Sequence, residues 1–309
     1  MCAGAQPACL IVNADDYGYY DCVSRGILQS TRHGIVTATG ILATGKRFDD
    51  HIAWLKDYAD LDVGLHLNLT DRDPLTMNMR NRLARWQGRF PPKFAAAMAV
   101  VSGTLPVSDV KLEWRAQIER CLDKGLTIRF INSHEHIHML PPLFRVTGEL
   151  AQEYGIAHVR LPTSDGFRNW KPGAFIRDTL MKGLAAINQS RLDHPAPVFL
   201  GMAESGRLSL GALQNLIPRL QPDGVYELMC HPGFRIDAAK HMQPRDIDAM
   251  ARAIEQLANL EARQGGKLAD RGRYGEALPL IEGGIGRLRA LAQAVDPDGT
   301  GIANAERAA

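Results

Sequence analysis

Short apolar, β-branched runs alternate along most of this chain with longer stretches in which apolar residues recur at helical spacing, the signature of a parallel β/α architecture. The runs at residues 9–14, 35–43, 62–69, 127–133, 156–161, 197–201 and 224–230 predict strands, and segments 21–33, 48–58, 108–124, 142–154 and 210–220 predict helices. Gly34, Gly125 and Gly155 stand just past three of these helices, where a left-handed residue is expected to end the ladder. Helical period returns over 244–263. Seven strands with intervening helices point to an α/β barrel related to the eight-stranded one but incomplete; an open doubly wound sheet satisfies the same periodicity. No composition shift marks a boundary, so a single domain over 1–295 is expected, with the small, polar stretch 296–309 as a disordered tail. Two long connections, 70–92 with Trp86 and Phe90, and 162–172 with Phe167 and Trp170, have the character of active-site loops.

Composition narrows the function. With 309 residues, 45% of them hydrophobic and 23% charged, the chain has ample apolar mass for a core, which excludes disorder as its main state. A formal charge of +2, from 36 Lys+Arg against 34 Asp+Glu, gives no broad footprint for nucleic acid or an anionic membrane. A small-molecule partner is expected, with no nucleic acid and no membrane insertion, because no apolar run approaches the ~18–20 residues of a span. No basic residue precedes the short apolar run near the start, so a cytoplasmic protein is expected. Five cysteines at irregular spacing, without a C-x-x-C pair, fit free thiols in a reducing compartment.

The chemistry gathers where strands are predicted to end. The first strand closes on Asn13-Ala14-Asp15-Asp16-Tyr17-Gly18, two adjacent carboxylates that the turning backbone can send to different tasks, one to a metal and one to a reacting water. A helix-capping pair is the plainer reading of that motif alone. His66 interrupts an otherwise apolar run, Val63-Gly64-Leu65-His66-Leu67-Asn68-Leu69. The fourth strand ends in Asn132-Ser133-His134-Glu135-His136-Ile137-His138, three histidines that share one face if the strand persists. At ~3.3 Å per residue, His134 and His138 would lie ~13 Å apart, too far to share an ion, so spacing allows His134 or His136. One Asp and two His with open positions suit Zn, Mn, Co, Ni or Fe. Arg160, within His158-Val159-Arg160-Leu161-Pro162, and His231, within Glu227-Leu228-Met229-Cys230-His231-Pro232-Gly233, end two further strands; one can orient a carboxylate, the other donate a proton.

Four of these blocks, Ile11 through Gly18, Gly64 through Thr70, Asn132 through His138 and Glu227 through Gly233, resemble in order and separation the YdjC family of carbohydrate deacetylases (ChbG/HpnK-like). The resemblance runs over about residues 10–263. It implies a TIM-like, distorted (β/α) barrel that holds one divalent metal ion (Mg, Zn, Mn, Co or Ni) and removes the acetyl group from an N-acetylated saccharide. Carried over, Asp16, His66 and His134 are the metal ligands. By looser similarity to the wider polysaccharide deacetylases, Asp15 is the base, His231 the acid, and Arg160 the residue that orients the base. The family usually has Asp at the position of Asn132, and Gln or His at that of Glu135.

Sugars present hydroxyls and a weakly apolar face that stacks on rings. Tyr17, Trp86, Phe90, Trp170, His136 and His138 are therefore expected to meet the substrate, an N-acetylglucosamine-containing saccharide. A lipid-linked hopanoid-type amino sugar, a phosphoester or other amide, and a catalytically silent sugar-binding protein are the competing readings. Assembly as a homodimer is compatible with the sequence.

Overall fold

The computed structural model describes residues 8–163, 172–192, 195–202 and 208–234. All seven predicted strands form: β1 (Cys9–Tyr17), β2 (Ala38–Ile41), β3 (Asp62–Leu67), β4 (Phe130–Ser133), β5 (His158–Val159), β6 (Val198–Leu200) and β7 (Val225–Cys230). They pair only in parallel, in the order β5-β4-β3-β2-β1-β7-β6, and curl into a half-barrel of the distorted TIM-like kind, with β5 and β6 at its two edges.

The helices are α1 (Asp21–His33), α2 (Phe48–Trp54), α3 (Met77–Arg82), α4 (Lys93–Val101), α5 (Val107–Leu122), α6 (Pro141–Glu153), α7 (Pro172–Gln189) and α8 (Leu210–Leu216). Helix α1 has the predicted bounds, and α5 and α6 differ from prediction by a residue or two. The pattern missed three. Helices α3 and α4 lie in the connection after β3, where α4 is apolar on every face and so shows no period, and α7 starts within the connection after β5. Gly125 and Gly155 are left-handed as expected, with φ 76° and 64°. Gly34 is not, at φ −128°; it is needed because a Cβ there would sit 2.6 Å from the Ser30 carbonyl oxygen.

Contacts divide the chain into two units. The first, Met1–Gly206 with Ile217–Pro232, contains the whole sheet. The second, Arg207–Leu216 with Gly233–Ala309, contains α8 among its described residues. The predicted tail 296–309, and the domain prediction beyond residue 234, lie outside the described residues. No helix among the described residues is long and apolar enough to cross a membrane.

Strand alternation decides where the site forms. Val12, Ala14, Leu65, Leu67, Ile131 and Leu228 are buried apolar residues on the side that packs under the helices. Their neighbours one position along, Asn13, Asp15, His66, Asn132 and Glu227, face the hollow of the half-barrel and are buried too. The register supports this, with Ile11 beside Glu227 and His66 beside Asn132. The hollow is lined by polar groups that bond to one another.

Candidate metal centre

Asp15 sits deepest and has the most partners. Its Oδ1 accepts hydrogen bonds from Asn132 Nδ2 at 2.9 Å, Arg160 Nη2 at 3.0 Å and Asn13 Nδ2 at 3.1 Å, and its Oδ2 accepts from Arg160 Nη1 at 2.6 Å. Arg160 is fully buried and also donates from Nε to Glu227 Oε1 at 2.8 Å, with Nη2 forming an ion pair to the same oxygen at 2.7 Å. Burial alone would raise the Asp15 carboxyl, but the Arg160 guanidinium, followed by His66, outweighs it and holds the group well below the usual carboxylate range. Asp15 is thus a fixed anion with Oδ2 its less committed oxygen.

Asn132 carries this order to the next layer. Its amide nitrogen is given to Asp15, so its Oδ1 accepts the 2.6 Å hydrogen bond from His66 Nδ1. That fixes the tautomer: Nδ1 bears the proton and Nε2 presents a lone pair. Gly40 on β2 makes room, since a Cβ there would lie 3.1 Å from Asn132 Oδ1 and 3.2 Å from the His66 ring. An Asp at position 132 could accept the His66 proton but would face Asp15 as a like charge.

His66 Nε2 is buried without a hydrogen-bond partner, 3.1 Å from Asp16 Oδ1 but out of line for a hydrogen bond. His134 Nδ1 approaches the same oxygen at 2.9 Å. One ligand atom from each of Asp16, His66 and His134 lies within 4.8 Å of the others. A buried, unbonded imidazole nitrogen beside a carboxylate and a second imidazole is the donor set of a divalent ion, and the residues fit one. Burial disfavours charge at both Asp16 and His134; their mutual attraction prevails, lowering the acid and raising the histidine.

Two local irregularities assemble the three ligands. The β1–β2 register slips between Ala14 and Tyr17, and Asp16 adopts φ 73°, so consecutive carboxylates both reach the hollow. Strand β4 stops at Ser133, and Glu135 and His136 are left-handed at φ 54° and 57° before a 3-10 turn. The three histidines therefore do not share a face. His134 enters the ligand cluster; His136 does not, and its ring meets Phe199 edge-on at 5.9 Å. Burial, then Arg160, depresses His136 far below its usual range and keeps it neutral.

His138 does not line the pocket at the ligand cluster. It is fully buried, its Nδ1 and Nε2 bonded to Ser133 Oγ and the Arg160 carbonyl oxygen, and burial pushes it down to about 4. Tyr17 does not line that pocket either. It is fully buried and donates its hydroxyl to the His51 carbonyl oxygen. Tyr19, two residues on, has its ring 5.4 Å from that of His134 at the mouth of the site. The turn through Asp16 and Gly18 changes which residues face out.

His231 follows β7 and is 42% exposed, with Nε2 3.9 Å from Asp16 Oδ2 on the open side of the cluster. A pocket of about 200 Å³ joins Asp15, Asp16, His66, His134, His136 and His231. It shares Lys93, His134 and Glu135 with an open groove of about 670 Å³ whose walls include Tyr19, Trp86 and Phe90. Trp86 and Phe90 line the groove; Trp170 and Phe167 lie outside the described residues. Glu227 and Asn13 were missed as members of the site. Their signal was a polar residue at alternate positions in two otherwise apolar strands.

Comparison with known proteins places the chain in a family. Over 261 residues the chain is 27% identical to a carbohydrate deacetylase of Clostridium beijerinckii, covering 82% of this chain and 93% of that protein. It is 30% identical over 230 residues to a chitooligosaccharide deacetylase of Escherichia fergusonii, covering 73% and 81%. A crystal structure from Enterococcus faecalis V583, titled for cellobiose-phosphate cleavage, superposes with a TM-score of 0.60 at 25% identity over 82% of this chain and 95% of its own. The family model described as YdjC-like protein matches residues 9–267, and the chain belongs to that family.

Proposed function

We propose that this protein is a metal-dependent hydrolase that removes the acetyl group from an N-acetylglucosamine-containing saccharide, releasing acetate and a free amine. The observation that carries the proposal is the buried, unbonded Nε2 of His66, held by Asn132 toward Asp16 and His134. Asp16, His66 and His134 would hold a divalent ion, which when bound would supply Lewis acidity toward an amide carbonyl and a water.

The chain's own groups supply the proton handling. Asp15 Oδ2, locked in place by Arg160, takes a proton from the attacking water. His231, exposed on the other side of Asp16, delivers a proton to the departing nitrogen, which would otherwise leave as an amide anion. The groove holds the sugar, with Trp86 offering a ring for its C–H face.

The test is acetate release from a panel of N-acetylated sugars, non-sugar amides and phosphoesters, with each of several divalent metals. Acetate from the sugars alone supports the proposal; turnover confined to the other classes overturns it. Asp15→Asn and His231→Ala are each expected to retain metal while losing turnover by ~10² or more, checked by metal analysis beside kinetics. Trp86→Ala is expected to raise KM more than it lowers kcat, because stacking contributes to the ground state and transition state alike.

A further inference from the structure

The connection between β3 and α5, residues 70–106, carries two features that the hydrolase reading leaves unused. Helix α4 turns Ala96, Ala99 and Val100 inward, and its outward side is apolar as well: Phe94, Met98 and Val101 are 82%, 63% and 66% exposed. Their spacing of i, i+4, i+7 puts them in one row, where a surface helix ordinarily sets polar residues. Met77 on α3, in the same connection, is exposed too. Such a row is a patch rather than scatter.

The second feature is charge. The connection holds six basic residues, Arg72, Arg80, Arg82, Arg85, Arg89 and Lys93, against two acidic ones, Asp71 and Asp73, a net +4 where the whole chain has +2. The near-neutral total hides this concentration. Arg72, Arg82 and Arg89 pair with Asp71, Asp109 and Asp73. Arg80, Arg85 and Lys93 have no carboxylate within ion-pair reach among the described residues. Lys93 is the first residue of α4 and also lines the groove with Arg85 and Arg89, so the basic rim and the apolar row meet at that helix end.

We propose that α4 and the basic connection form a docking surface for an anionic lipid bilayer. A helix of nine residues is far below the ~20 needed to span, so it lies in the interface, with Phe94, Met98 and Val101 in the acyl boundary and the cations at the headgroup phosphates. Charge selects this occupant over a second copy of the chain. A two-fold contact through the same row would bring two connections of net +4 together, an arrangement that like charges oppose. Because α4 packs on the 3-10 segment that begins at His134, docking brings the mouth of the site to the lipid surface.

The test is co-sedimentation of the full chain with vesicles of phosphatidylcholine alone and of phosphatidylcholine mixed with phosphatidylglycerol, at low and high salt. Binding only to the phosphatidylglycerol vesicles, with release by salt, is the expected result. The double variant Phe94→Ser, Met98→Ser is expected to partition ~10-fold less, with its circular dichroism, light-scattering mass and acetate release from a soluble sugar unchanged. Failure to bind phosphatidylglycerol vesicles, equal binding by the variant, or a wild-type dimer that the variant splits would each overturn the proposal. Vesicle binding does not depend on the metal chemistry, so a protein that binds vesicles but releases no acetate would count against the hydrolase reading alone.

Discussion

Replacing His66 by alanine is expected to abolish metal binding and to take acetate release to background. His66 Nε2 is the one ligand atom that is both fully buried and without a hydrogen bond, so nothing nearby can substitute for its lone pair. Loss of a residue that only supports a ligand already costs ~10–100-fold in affinity, and loss of the ligand itself must exceed that. Calorimetric titration with a divalent ion gives the affinity. Thermal melts give an independent reading, because a metal that binds only the folded state raises Tm with its concentration. Wild type is expected to show that rise and His66→Ala to lack it. The informative control is His136→Ala: the next-but-one histidine after His134 stands outside the cluster, so its variant is expected to keep the metal-dependent rise. A rise of equal size in His66→Ala would remove His66 from the centre.

How much of this could be read from the chain depended on whether a residue obeyed its local period. The seven strands were legible because parallel strands buried on both sides read as apolar runs, and His66 and Asn132 stood out as interruptions of such runs. The same interruptions mark Glu227 and Asn13, but a single polar residue in a strand does not say what it touches. Only the parallel register sets Glu227 within reach of Arg160 across the hollow. Periodicity failed where the backbone leaves its regular conformation. Asp16, Glu135 and His136 have positive φ, and each breaks the alternation that would have placed Tyr17 and His138 at the site. That strain gathers around the ligands, where a bulge and a left-handed pair turn side chains inward that a regular strand would send apart. Helix α4 was invisible for a different reason: with apolar residues all round, its sequence has no face to detect.

The Arg160→Met variant is expected to be less stable than wild type by about 3–5 kcal/mol, the range for removing one partner of a buried ion pair. That is a large part of the ~5–15 kcal/mol that holds an ordinary domain together. Arg160 is wholly buried and joins two carboxylates, Asp15 and Glu227, that are themselves almost inaccessible to water. Methionine keeps most of the volume of the stem and no charge, so both acids lose their counter-charge while staying desolvated. The cost then arises from stranded charge more than from lost packing, and this can be separated. Adding Glu227→Gln removes one of the two stranded charges, so Arg160→Met with Glu227→Gln is expected to be more stable than Arg160→Met alone, a coupling of about 0.5–3 kcal/mol between neighbours. Packing loss alone would make the two substitutions additive and the double variant the less stable. Urea midpoints at constant slope give the comparison, with the slope reporting whether each variant unfolds the same surface. An Arg160→Met protein within about 0.5 kcal/mol of wild type would show that Asp15 is held by Asn13 and Asn132 instead, and that the guanidinium is not what fixes its carboxylate.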